Sequence, residues 1–130
     1  MQRRVFFLML ILAGLAAAQR KPQPKPAEIE LSDVSVRREG QHVNIDGRLR
    51  NAGERAAKKL IAFIEFRSPD DQVITTRRAE IEEPILEPGA EAELHARVPD
   101  PVRAVTIRFS FEDGSGRYLK AINAGPFTIE

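Results

Sequence analysis

The feature that most constrains this chain is a period-two alternation of apolar and polar residues from Glu28 onward. The alternation is clearest between Gln41 and Asn51 and again between Val105 and Glu112, where Val105, Ile107, Phe109 and Phe111 are predicted to face inward. Successive side chains of a β-strand point to opposite faces, so each of these segments reads as a strand with one buried face. No stretch keeps a helical period for three turns, and the pattern therefore excludes a helical bundle.

Turn-forming residues divide this region into separate strands. Ser68-Pro69-Asp70-Asp71 and Pro88-Gly89 have the composition of turns, and Pro99 cannot donate a hydrogen bond to a neighbouring strand. The predicted strands are Glu28–Val36, Gln41–Asn51, Lys59–Arg67, Gln72–Ile81, Ala90–Val98, Val105–Glu112 and a bent segment Arg117–Ile129. This arrangement predicts an all-β, seven-stranded antiparallel Greek-key sandwich. A small open barrel is the alternative architecture.

The N-terminus has the order of a signal peptide. Two arginines precede an apolar run from Val5 to Leu12, and small residues follow up to Ala18. We predict a signal-peptide helix over residues 1–18, cleaved between Ala18 and Gln19. The apolar stretch from Val5 to Ala18 would span about 21 Å as a helix, against about 30 Å for a bilayer core. Contact with the membrane is therefore expected to be transient, and a retained anchor is the alternative.

A proline-rich linker over residues 19–27 separates the signal from the folded domain, residues 28–130. Alternating prolines favour an extended chain with a reach of roughly 28 Å. The protein has 20 Lys and Arg against 19 Asp and Glu, but five of the basic residues and none of the acids precede residue 28. The domain is therefore mildly acidic, which argues against nucleic acid as a partner. The absence of cysteine excludes a disulfide and a lipoprotein anchor.

The order of motifs resembles the FxLYD-type family of bacterial exported immunoglobulin-like domains. The residues that carry the resemblance are Val43, Ile45, Gly47, Leu49, Asn51, Lys58, Lys59, Phe66, Leu86, Pro88, Gly89 and Ala92. The resemblance covers most of residues 28–130, but the naming motif of the family is not intact, and Phe63 to Arg67 occupies its place. It implies an immunoglobulin-like sandwich that acts outside the cytoplasm as a binding or spacer module, without catalytic residues.

The sequence offers no recognisable catalytic or metal-binding motif. His42 and His95 fall in different predicted strands, without cysteine or acidic residues at metal-ligand spacing, and we predict that His95 is a solvated strand residue. The loop Glu112 to Gly116 carries oxygen ligands suited to calcium, but one loop supplies too few for a site. We therefore predict no enzyme, no metal and no cofactor. The alternative, a small extracytoplasmic hydrolase, requires a concave pocket lined by carboxylates or by His95.

The strand Lys59–Arg67 carries the one predicted binding surface. If Leu60, Ala62, Ile64 and Phe66 face the core, then Ile61 and Phe63 face outward beside charged neighbours. In an immunoglobulin-like order this strand pairs with the one that carries Arg108. We therefore assign Ile61, Phe63 and Arg108 to a partner surface. The alternatives are that the linker or the final strand covers them, or that Ile61 and Phe63 are the inward pair.

Together these patterns predict an exported, periplasmic or secreted, non-catalytic module of the bacterial cell envelope. Its expected partner is another envelope or extracellular protein. A membrane-tethered spacer is the alternative if the signal segment is retained.

Signal cleavage is testable directly. We expect the exported protein to begin at Gln19, because Ala16 and Ala18 match the small-residue pattern of signal cleavage sites. N-terminal sequencing of protein recovered outside the cytoplasm measures this. A chain that still begins at Met1 and sediments with membranes would support the tethered alternative instead.

Overall fold

The computed structural model describes residues 28–130, and the folded part of this region is entirely β-structure and connecting loops. The strands are β1 (Glu28–Glu39), β2 (His42–Asn51), β3 (Ala57–Lys58), β4 (Ile61–Arg67), β5 (Val73–Glu80), β6 (Ile85–Leu86), β7 (Glu91–Pro99), β8 (Thr106–Glu112), β9 (Tyr118–Ile122) and β10 (Phe127–Thr128). The predicted signal peptide, its cleavage site at Ala18 and Gln19, and the linker lie outside the described residues. Within residues 28–130 there is no helix of the length and apolarity needed to cross a membrane.

The strands form one continuous hydrogen-bonded path in the order β5-β4-β8-β9-β1-β2-β7, and β10 also pairs with β8. Neighbouring strands are antiparallel except β1 and β9, which run parallel from Glu28 opposite Lys120 to Glu30 opposite Ile122. The two end strands, β5 and β7, approach each other. The sheet is thus nearly closed around its core. The short strands β3 and β6 pair with each other beside this path.

The seven predicted segments all contain strands, and the structure adds detail at three places. The two-residue strands β3 and β6 form in connections between the predicted strands. The predicted bend in the last segment is confirmed, because the segment is split into β9 and β10 around Gly125-Pro126. Phe127 of β10 pairs with Ile107 and Leu119 of β9 pairs with Phe111, so both halves lie along β8.

The inward faces form the core, as the alternation predicts. The largest side chains that are fully buried include Phe66, Phe111, Ile45, Leu49 and Ile107. Burial of such side chains stabilises the fold by roughly 1.5–3 kcal/mol each, which matters for a chain without a disulfide. Val105 was predicted to point inward, and this was wrong, because Val105 is 38% exposed while Ala104 is buried. A turn in which Ala104 donates to the carbonyl of Pro101 shifts the alternation by one residue before β8 begins.

Asn51 is the one buried polar residue among those described, and it lies at the end of β2. Its Nδ2 donates to the carbonyls of Arg55 at 2.7 Å and Leu86 at 2.9 Å, and its Oδ1 accepts from the Gly53 amide at 2.9 Å. Its backbone also bonds to Gly89 and Ala90. The Asn51 side chain therefore connects the end of β2 with β6, while the Asn51 backbone is hydrogen-bonded to the turn before β7.

A half-buried ion pair holds the C-terminal end of β1. Arg38 Nε lies 3.1 Å from both carboxylate oxygens of Asp100, and its Nη2 donates to the carbonyl of Ala104. The Asp100 side chain is only 16% exposed. One N–H is thus shared between the two carboxylate oxygens, and such charge-assisted hydrogen bonds are stronger than neutral ones. Arg38 thus connects β1 to the loop that leads into β8.

Substitution of Asn51 by alanine should strongly destabilise the domain. The change leaves the buried carbonyl of Leu86 without its donor, and we expect a loss on the order of 3 kcal/mol in the free energy of unfolding. Urea denaturation followed by circular dichroism measures this. The matched control is Asn44→Ala, because Asn44 donates to the exposed Glu39 carboxylate. A loss for Asn51→Ala no larger than that of the control would contradict the assigned role.

Candidate functional site

The predicted partner surface forms on the outer side of the pairing between β4 and β8. Phe63 lies opposite Ser110, Ile61 opposite Glu112 and Glu65 opposite Arg108. We name these side chains together the β4–β8 face: Ile61, Phe63, Glu65, Arg108, Ser110 and Glu112. All six are partly exposed. The structure therefore brings Ile61, Phe63 and Arg108 onto one surface.

The alternation in β4 has the predicted phase. Ala62, Ile64 and Phe66 are fully buried, while Ile61 and Phe63 are only partly so. The alternative in which Ile61 and Phe63 form the inward pair is therefore wrong. The final strands do not cover the face, because β9 and β10 pair with β8 within the sheet.

On this face Glu65 has an ion-pair partner, and Arg108 has none among residues 28–130. Glu65 is the cross-strand neighbour of Arg108, yet its carboxylate lies 2.8 Å from Arg67 Nη2 on its own strand. Arg67 also contacts Asp71 at 3.1 Å. The hydrogen bonds that Arg67 donates to Glu65 first and to Asp71 second raise the pKa of Arg67, so its charge is fixed. The structure shows no hydrogen bond or ion pair between the Arg108 side chain and any other residue from 28 to 130, and its Nε is buried without an acceptor.

A separate acidic groove lies where the two ends of the sheet meet. A cavity of about 240 Å³ is lined by Glu80 at the end of β5, by the following loop and by the start of β7. The lining residues are Glu80, Glu82, Glu83, Glu91, Ala92, Glu93 and His95. Arg48 lies opposite Glu93 and Arg50 opposite Glu91 in the register of β2 with β7. However, Arg48 and Arg50 form their ion pairs with Asp33 and Glu30 of β1, on the side away from the groove.

His95 stands at the end of this groove between two carboxylates. Its Nδ1 lies 2.5 Å from Asp46 Oδ1, and its Nε2 lies 3.2 Å from Glu93 Oε2. These two hydrogen bonds raise the pKa of His95 above its ordinary value, and the bond with Asp46 contributes more than the bond with Glu93. The prediction that His95 is a solvated strand residue agrees with its side-chain exposure of 67%. Asp46 was missed as its partner, because 49 residues of chain separate the two.

The loop considered for calcium uses its carboxylate internally. Asp113 Oδ1 accepts from the amides of Ser115 and Arg117 and from the Ser115 hydroxyl. These bonds close the turn between β8 and β9. Among residues 28–130 no group of three or more histidine, cysteine or acidic side chains is placed to hold a metal ion.

Comparison with known proteins identifies the fold only. No family model matches the chain, and no curated protein matches it. IrmA from Escherichia coli superimposes with a TM-score of 0.50 and 14% identity, over 81% of this chain and 99% of IrmA. The putative ApaA protein from Bordetella pertussis gives 0.49 with 20% identity, over 75% of this chain and 89% of that chain. β-Glucosidase 3B from Thermotoga neapolitana gives 0.46 with 20% identity, over 78% of this chain but only 16% of the enzyme. The likeness to IrmA is a likeness of fold alone.

The environment of His95 predicts a pH dependence. Because its pKa is raised by folding, the stabilisation from its contacts is complete below the unfolded value of about 6.5 and is lost as the pH rises through the folded value. We expect Asp46→Asn to lower the titration midpoint of His95, followed by NMR of its ring protons. His95→Gln should reduce the dependence of unfolding midpoints on pH in this range.

The assignment of the ring signals comes from His42→Gln, which removes the other histidine resonance. A His95 midpoint that is the same in Asp46→Asn as in the natural protein would contradict the role of Asp46.

Proposed function

We propose that this protein is an exported, non-catalytic binding module of the bacterial cell envelope, with the β4–β8 face as its binding surface. The basic N-terminus, apolar run and small residues up to Ala18 support export to the periplasm or medium. The expected partner is another envelope or extracellular protein. The resemblance to the FxLYD-type family supports a role without catalysis.

The strand order supports an immunoglobulin-like Greek-key arrangement. In a constant-type immunoglobulin domain one sheet carries the first, second, fourth and fifth strands, and the other carries the third, sixth and seventh. The paths β1-β2-β7 and β5-β4-β8-β9 give this division except that the fourth main strand, β5, lies beside the third. The connections from β2 to β4, from β5 to β7 and from β7 to β8 would then cross between the sheets. In this arrangement the β4–β8 face is the outer surface of the second sheet.

The observation that carries the proposal is an apolar spot beside an unsatisfied cation. Ile61 and Phe63 are adjacent outward positions of β4, and Arg108 lies next to them on β8 without a carboxylate partner among residues 28–130. Binding hot spots are commonly aromatic or arginine side chains surrounded by contacts that exclude water. A protein that presents an apolar side chain together with a carboxylate would complement this spot.

The hydrolase alternative has one observation in its favour. The acidic groove is a concave pocket lined by carboxylates and by His95, as that alternative requires. Both ring nitrogens of His95 are already engaged by Asp46 and Glu93. A histidine held in this way lacks the free nitrogen that a general base needs. We therefore favour binding over catalysis.

Substitutions on the face should abolish partner capture without unfolding the domain. A chain of residues 19–130, which contains the whole described core, is immobilised and exposed to envelope extract, and bound proteins are identified by mass spectrometry. Phe63→Thr and Arg108→Glu should each lower capture on the order of tenfold or more, as expected for hot-spot side chains. Circular dichroism and urea midpoints verify folding.

Arg48→Glu is the matched control, because Arg48 is an exposed charge on β2, outside the face. Equal capture by all variants would contradict the assignment of the face. Turnover of ester or glycoside substrates that disappears in Glu93→Gln would support the hydrolase alternative instead.

A further inference from the structure

Two side chains of opposite charge stand unpaired on β8. Arg108 and Glu112 are four residues apart and lie on the same outer side of the strand. Within the part of the chain that the structure describes, neither side chain forms a hydrogen bond or an ion pair. The nearby acids are already engaged, since Glu65 contacts Arg67 and Glu80 contacts Arg78.

On β4 and β8 the centre between these charges is uncharged and partly apolar, and the nearest charge beside it is that of Arg78 on β5, the other cross-strand neighbour of Phe63, which lies 3.8 Å from Glu80. Ser110 lies midway between them on β8, and Phe63 is its partner on β4. Four residues of a strand span about 13 Å, so Arg108 and Glu112 are each about 6–7 Å along the strand from the level of Phe63. The face thus carries a positive end, an uncharged middle and a negative end.

We infer that this face binds a second copy of itself. Consider a two-fold axis that lies in the contact plane, crosses the strands and passes at the level of Phe63 and Ser110. It places each Arg108 against Glu112 of the other copy and brings the two Phe63 rings together. A contact between identical patches requires such self-complementarity. The charges that find no partner within one domain are then paired twice across the contact.

The contact is small, and its size determines its strength. Two strands about 4.8 Å apart over about 13 Å form a core well below the roughly 800 Å² per partner of a standard interface. The dimer is therefore weak and exchanges rapidly with monomer. Because the inference rests on the face assigned in the proposed function, the second copy competes with the envelope partner. Self-association keeps Phe63 covered until a partner displaces it.

The charge pattern makes a specific test available through mixed variants. Arg108→Glu alone creates two acid–acid contacts across the dimer, and Glu112→Arg alone creates two contacts between arginines. Each single variant should therefore associate at least tenfold more weakly than the natural protein. An equimolar mixture of the two variants pairs opposite charges at both contacts and should recover association. The double variant Arg108→Glu/Glu112→Arg should recover it as well.

Sedimentation equilibrium of the residues 19–130 chain from about 10 μM to 1 mM covers the range of a weak dimer. Association should weaken as salt increases, because exposed ion pairs are screened. Arg48→Glu is the matched control and should associate like the natural protein, and circular dichroism verifies that every variant is folded. Phe63→Thr should also weaken association, and adding the exchange Arg108→Glu/Glu112→Arg to it should not restore association.

Three results would overturn the inference: a natural protein that stays monomeric throughout, folded single variants whose mixture does not associate, or an equal loss in Arg48→Glu. The proposed function fails separately, because sedimentation needs no partner. A monomer that captures an envelope protein through the face would overturn this inference alone. A dimer that is weakened in each single variant and recovered in their mixture supports the inference, even where no envelope protein is captured.

Discussion

The fold depends on the hydrogen bonds of Asn51, a polar side chain with no exposure to solvent. A buried amide is costly unless its donors and acceptor are satisfied, and here three protein groups satisfy them. These groups come from the turn after β2, the loop before β3 and the short strand β6. In a domain without disulfides, this one side chain fixes where β2 ends and where the chain crosses toward β7. Apolar burial supplies the stability, but it does not specify these positions.

The β4–β8 face is defined by the register between β4 and β8. That register places Phe63 beside Ser110 and Glu65 beside Arg108. Glu65 nevertheless pairs with Arg67, which Asp71 also contacts from the loop before β5. Arg108 is left with a buried Nε and no acceptor, next to two apolar side chains. Buried donors without partners are uncommon in native proteins, and here the Nε atoms of both Arg67 and Arg108 are such donors.

Much of the fold could be predicted from local pattern, because a strand with one buried face must alternate. The phase of β4 and the bend near Gly125-Pro126 both followed from it. Val105 did not, because a turn at Pro101 to Ala104 shifts the alternation by one residue. The strands β3 and β6 have two residues each, too few for a periodicity to be visible. Nothing in the sequence indicated that the two end strands would meet and form the acidic groove.

The sequence by itself determined the all-β character of residues 28–130, the inward and outward side of most strands, and the outward position of Ile61 and Phe63. These properties depend on the order of residues within one strand, where side chains alternate regardless of context. Only the tertiary structure decided that His95 lies between Asp46 and Glu93, that Asn51 is a buried junction, and that Arg108 and Glu112 remain unpaired. Each of these depends on which strands are neighbours and in what register, since a shift by one residue would exchange every contact across the pair.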